Sequence, residues 1–191
     1  MMKFLLNISK LIDKLNSMMG VVVTWLALLV VLISAGNAIV RKLFNESSNA
    51  WLEIQWYLFG AIFLLGAAYT FLKNEHVRVD ILSQRFSKKT QTYIDIVGTV
   101  FFLIPICFLI VWLSIPFFWD SFVSGELSSN SGGLIRWPVK LLIPVGFFLL
   151  ELQAFSHLIK CVAYLKGLVP DPLQRETAEE AIEAEIQSIK S

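Results

Sequence analysis

Two histidines and two cysteines are all that 191 residues hold of the common soft metal ligands. Cys107 and Cys161 both lie inside apolar stretches, which argues against a disulfide framework or a cysteine-rich metal site and for two buried thiols. A haem held between helices needs paired histidines inside the spans. His76 stands in a polar segment and His157 near the end of an apolar one, so that pair is missing. There is no glycine-rich phosphate loop, and no serine or cysteine nucleophile has a plausible base. These absences point away from an enzyme. A surplus of positive charge is missing too: the net charge is only +1, so nucleic acid is not an expected partner.

What is abundant is apolar surface. Hydrophobic residues make up 56% of the chain and mean hydropathy is +0.67, too apolar for an ordinary soluble domain of this length. Charge-free runs extend over 26 residues from Leu15 to Val40, 19 from Ile54 to Leu72 and 24 from Ile96 to Trp119. A fourth run, Leu141 to Ile159, is interrupted once, by Glu151. About 20 apolar residues cross the roughly 30 Å of hydrocarbon as a helix, and a backbone in lipid must satisfy its own hydrogen bonds. The expected fold is therefore an all-α integral membrane domain over residues 1–169. Its four transmembrane helices are expected near 20–40, 54–72, 93–119 and 139–162, with a polar tail at 170–191. The first run is long and is followed at once by Arg41 and Lys42, which favours a retained helix over a cleaved signal peptide.

Lys and Arg are unevenly shared among the segments between spans. The N-terminal, second connecting and C-terminal segments hold twelve, the other two connections four. By the positive-inside rule both termini and the 73–89 connection face the cytoplasm. Ahead of the first span, Phe4, Ile8, Leu11, Leu15 and Met18 recur at helical spacing, with Lys3, Asn7, Lys10 and Lys14 on another face. That pattern predicts an N-terminal amphipathic helix lying at the interface, or an extension of the first span.

Small residues Gly60, Ala61, Gly66, Ala67 and Ala68 form a ridge on the second span and allow close helix approach, within the chain or to another subunit. Ser87 is placed to cap a helix starting at Lys88, Pro105 to kink the third span, and Pro170 and Pro172 to end the fourth. The connection from Asp120 to Pro138 is rich in Gly and Ser and predicts turns.

Two features could carry chemistry. The stretch Asn74–Asp80 (NEHVRVD) crowds four ionisable side chains into seven positions. His76 and Asp80 could share a metal if the stretch were helical, but no third ligand stands near. Paired charges that pin a loop fit it better. Glu151 sits mid-span, where an acid costs about 2.5–3.5 kcal/mol on insertion scales. It reads either as a proton-coupling group or as a neutral carboxyl bonded at a helix interface.

Several motifs in order carry a resemblance. Trp51–Phe59 (WLEIQWYLF), Leu65–Tyr69 (LGAAY), NEHVRVD, Gly125–Ser128 (GELS), Gly132–Leu134, Arg136–Lys140 (RWPVK) and Ile143–Phe147 (IPVGF) resemble the small membrane subunit of tripartite ATP-independent periplasmic (TRAP) transporters of bacteria and archaea. The resemblance covers roughly residues 10–165. It implies a subunit of the bacterial inner membrane that scaffolds a large multi-span subunit, which carries the sodium and substrate sites; no cofactor is implied in this chain. A periplasmic substrate-binding protein would dock on the external face, for uptake of an organic acid or similar solute. Carried over, the large-subunit interface would involve Glu53, Trp56, Tyr57, Gly66, Tyr69, His76, Arg78, Asp80 and Glu151, with His76, Arg78 and Asp80 acting as a clasp. The docking loop would involve Asn130, Gly132, Gly133 and Arg136. Rival readings are an autonomous proton-coupled transporter using Glu151 and a membrane assembly factor without transport.

Overall fold

The computed structural model describes residues 2–45, 48–75 and 86–173. Five α-helices account for most of them: α1 (Met2–Phe44), α2 (Asn49–Leu72), α3 (Lys88–Gly98), α4 (Ile104–Ser124) and α5 (Trp137–Leu165). A π-helical turn, Thr99–Leu103, joins α3 to α4. Four helical stretches are long and apolar enough to cross a bilayer, with α3 through α4 counting as one. Among the described residues there is no strand, only one isolated antiparallel bridge between Leu127 and Ile135. This is the expected all-α membrane fold.

The amphipathic N-terminal segment and the first span form one helix of 43 residues. At 1.5 Å per residue it is about 65 Å long, twice the hydrocarbon thickness. No Gly or Pro interrupts it before Gly20, and Gly20 is itself buried under the ring of Tyr69. In this first part Phe4, Leu11 and Met18 point outward while Ser9 and Asn16 are buried. A soluble helix would bury the opposite face.

The core sits where α2 passes between α1 and α5. Ala61, Leu65, Ala68 and Leu149 are buried together, with Met19, Val23, Leu26, Leu142 and Leu150 packed around them. The small-residue ridge of α2 contributes Ala61 and Ala68 to this packing, while Gly60, Gly66 and Ala67 stay half-buried. A Cβ at Gly66 would lie 3.5 Å from Val23 of α1, and one at Gly146 of α5 would lie 2.7 Å from the Leu64 carbonyl. In lipid, association rests on such close packing because tails are as apolar as the side chains.

Local signals set the helix ends. Ser87 caps α3 as expected, accepting a bond from the Thr90 amide at 3.3 Å. Pro105 acts one turn earlier than itself: its ring clashes with the carbonyl four residues back, at Phe101. The backbone there widens into the π turn, a usual way to absorb an inserted proline. The end of α5 differs from expectation. It stops at Leu165, before Pro170, because Gly167 takes φ +71°. The Gly167 and Leu168 amides then close on the Tyr164 and Ala163 carbonyls at 2.8 and 3.0 Å, the paired bonds of a Schellman stop. The long connection is also shorter than expected. α4 continues to Ser124, helped by Phe122 packing on Phe118 and edge-on against Trp137, so only 125–136 lies outside helices.

Candidate functional site

Residues 125–136 fold into a hairpin over the N-terminal end of α2. Gly125 leaves α4 at φ +60°. Across the Leu127–Ile135 bridge the Ser128 amide donates to Leu134 O and the Arg136 amide to Glu126 O, both at 2.9 Å. At the tip the Gly133 amide donates to Asn130 O at 3.0 Å. The tip closes tightly: a Cβ on Gly133 would come within 2.5 Å of Ser128 Cβ, so only glycine fits without a shift.

Glu53, in the first turns of α2, anchors this hairpin. Its Oε1 accepts from Ser128 Oγ and from Asn130 Nδ2 at 2.7 Å, and its Oε2 accepts from the Leu134 amide at 2.7 Å. Glu53 is 8% exposed. An ionised carboxylate only accepts, and here three donors converge on it. Asn49 Nδ2 adds a bond to Ser131 O at 3.0 Å and Tyr57 Oη one to Ile135 O at 3.3 Å. Three residues of α2 thus commit five hydrogen bonds to one loop.

At the hairpin base Glu126 contacts Lys140 Nζ, and Arg136 Nη1 lies 3.7 Å away. The Lys140 hydrogen bond, foremost, holds the Glu126 carboxyl below its ordinary value of 4.5. Lys140 also sits 4.0 Å from the centre of the Phe117 ring. Between hairpin and helices a cleft of about 490 Å³ is lined by Glu53, Trp56, Tyr57, Asn130, Arg136 and Lys140, among others. Trp56 is 76% exposed beside it. Here an aromatic shelf, an amide and a guanidinium point outward from a fixed loop.

The opposite end of the bundle, which carries the start of α1 and the end of α5, holds a second polar assembly. Along α1 and α5, Ser9 Oγ meets Ser156 Oγ at 2.7 Å and Asn16 Nδ2 donates to Gln153 Oε1 at 2.7 Å. Between them Asp13 accepts from Ser156 Oγ at 2.7 Å, Gln153 Nε2 at 3.1 Å and Lys160 Nζ at 3.0 Å. One face further round α5, His157 Nε2 contacts Asp95 Oδ2 of α3 and lies 3.4 Å from Cys161 Sγ. Both thiols, Cys107 and Cys161, are buried and neither forms a disulfide.

Of the residues singled out from sequence, the structure brings Glu53, Trp56, Tyr57, Asn130, Gly133 and Arg136 together at the hairpin, with Gly132 at its tip in a left-handed turn. Gly66 and Tyr69 are not part of it; they face α1. Glu151 lies mid-helix on α5, half-buried, two residues before Gln153 of the Asp13 group. His76, Arg78 and Asp80 lie outside the described residues. Sequence reasoning missed Ser128 and the Leu134 amide as partners of Glu53. It also missed the partners of Gln153 and His157. Ser9, Asp13 and Asn16, spaced 9, 13, 16, were the available signal: a polar stripe at helical spacing between two apolar ones.

A family model described as the DctQ component of tripartite ATP-independent periplasmic transporters matches residues 30–163, well over half of the chain. No curated protein and no solved structure gives a match.

Proposed function

Because the chain belongs to the DctQ component family of tripartite ATP-independent periplasmic transporters, we propose that this small membrane subunit uses its Glu53-anchored hairpin as the docking surface for the periplasmic substrate-binding protein. The rest of the bundle scaffolds a large multi-span subunit, on which the sodium and substrate sites reside; the solute is an organic acid or similar. The hairpin end faces the periplasm and both termini face the cytoplasm, as the twelve-to-four division of Lys and Arg favours. The observation that carries this reading is the commitment of Glu53 to three donors of one loop. A loop so held presents Asn130, Arg136 and the neighbouring Trp56 in a fixed arrangement, which lowers the ordering cost of binding.

The surface that scaffolds the large subunit includes the outward apolar faces of the helices, with Trp56 and Phe63 of α2 exposed among them. Glu151, half-buried on α5, is assigned in this reading to the surface that meets the large subunit.

Purification of the full chain in mild detergent tests this. The expected result is equimolar recovery of a far larger multi-span protein, and binding of the soluble protein that fails when Glu53 is replaced by Ala. Recovery of a homodimer that transports alone in liposomes would overturn the proposal.

A further inference from the structure

Asp95, His157 and Cys161 are remote in sequence from the hairpin and play no part in docking. Their ligand atoms, Oδ2, Nε2 and Sγ, all lie within 4.8 Å of one another. His157 and Cys161 are four apart on α5, so they project from one face, and Asp95 meets them from α3. We propose that these three side chains bind one borderline-soft divalent cation, with Zn²⁺ as its representative, and that the ion braces α3 against α5.

The chemistry of the donors fits. Imidazole nitrogen, thiolate and carboxylate are the three usual protein ligands of zinc. With Zn–N of about 2.0–2.1 Å and Zn–S of about 2.3 Å, a tetrahedral ion sets N and S roughly 3.5 Å apart. Here Nε2 and Sγ are 3.4 Å apart. The His157–Asp95 contact is a hydrogen bond and is tighter than two ligands of one ion would be. Binding therefore displaces the shared proton and moves the carboxylate outward by about 1 Å, within reach of a side-chain rotation. The Cys161 thiol proton leaves to solvent with it, so uptake of the ion strengthens as pH rises.

Burial also fits. The His157 side chain is 6% exposed and that of Asp95 22%, while Cys161 is fully buried. Asp95 is thus the least buried of the three. Phe71 packs edge-on against the His157 ring, 5.0 Å between centres, and fixes its orientation from the apolar side. Thr92, one turn before Asp95, is buried as well, so α3 is already seated where the brace would hold it.

Co²⁺ titration of the full chain, purified with whatever membrane partner accompanies it, decides the matter. A thiolate-to-Co²⁺ charge-transfer band should appear, saturate at one ion per chain and be displaced by Zn²⁺. Cys161→Ser should abolish it, Cys107→Ser should leave it, and His157→Ala should weaken binding by more than about 10-fold. Absence of the band in the wild-type chain would overturn the proposal and leave Asp95 and His157 as a hydrogen-bonded pair. Persistence of the band in Cys161→Ser would overturn it equally, whatever that variant's stability.

Discussion

The two ends of the bundle hold their polar groups in opposite ways. At the hairpin end one carboxylate, Glu53, collects the donors of the loop tip, with Glu126 paired only at the base. At the terminal end the bonds are spread over Ser9, Asp13 and Asn16 of α1 and Gln153, Ser156 and Lys160 of α5. The first arrangement fixes a loop on a rigid helix and fails at one point. The second joins two helices at several points and tolerates a loss. Buried polar groups are costly when only partly satisfied, so each arrangement predicts a distinct pattern of damage.

The sharpest test removes the single point. In Glu53→Ala, Ser128, Asn130 and the Leu134 amide lose their shared acceptor. Affinity for the substrate-binding protein, read by surface plasmon resonance or ultracentrifugation, should fall about 10-fold or more, as when one partner of a shielded charge-assisted contact is truncated. The helical bundle should melt at nearly the wild-type temperature, because the core lies deeper along α2, from Ala61 to Ala68. A matching collapse of the bundle would show that Glu53 supports the fold and not only the loop.

The terminal end should respond less. Asp13→Ala strands Lys160 but leaves the Ser9–Ser156 and Asn16–Gln153 bonds intact. Thermal unfolding in detergent should register a loss of about 1–2 kcal/mol, the upper range for interhelical polar contacts in membranes. Docking affinity should be unchanged. Loss of the folded bundle from this one change would mean that Asp13 is a single anchor like Glu53, and the contrast between the ends would disappear.

Smaller still is a purely steric change. Gly133→Ala places a methyl 2.5 Å from Ser128 Cβ and 3.0 Å from Asn130 O, which forces the hairpin tip apart without touching any charge. Overpacking of this kind costs about 1–3 kcal/mol. It should weaken docking by less than Glu53→Ala does, since the Leu134 amide can keep its bond. Gly36→Ala meets nothing within 4 Å and serves as the neutral control. Equal effects of the two alanines on docking would separate the hairpin from the docking surface.

The spans were legible because a charge-free run is a local property, and lipid demands it of every residue in turn. Ser87 and Pro105 were legible for the same reason: caps and proline clashes act within one turn. The α5 stop was misjudged because two prolines drew attention from Gly167, whose small size hides its ability to reverse the backbone. The polar assemblies were not legible. Asp13 and Lys160 are 147 positions apart and Asp95 and His157 are 62 apart, and no periodicity links them. Glu53 was singled out only through the family resemblance, as part of a large-subunit interface. Only the return of the hairpin onto α2 gives it its partners.

The mildest test concerns Glu126, at the base of the hairpin rather than its centre. Its carboxyl titrates below the ordinary 4.5, chiefly through the Lys140 hydrogen bond. A group with a depressed folded value favours the ordered hairpin fully above its ordinary value and loses that contribution as pH falls through the depressed one. Docking should therefore be flat in pH from neutrality down to about 5 and weaken below 4.5. Glu126→Gln should carry a slightly lower affinity at neutral pH and a shallower acid decline. Because the side chain is about one-third exposed, solvent screens its pairs with Lys140 and Arg136 and the effect stays small. A Glu126→Gln loss as large as that of Glu53→Ala would move the anchor of the hairpin from its centre to its base.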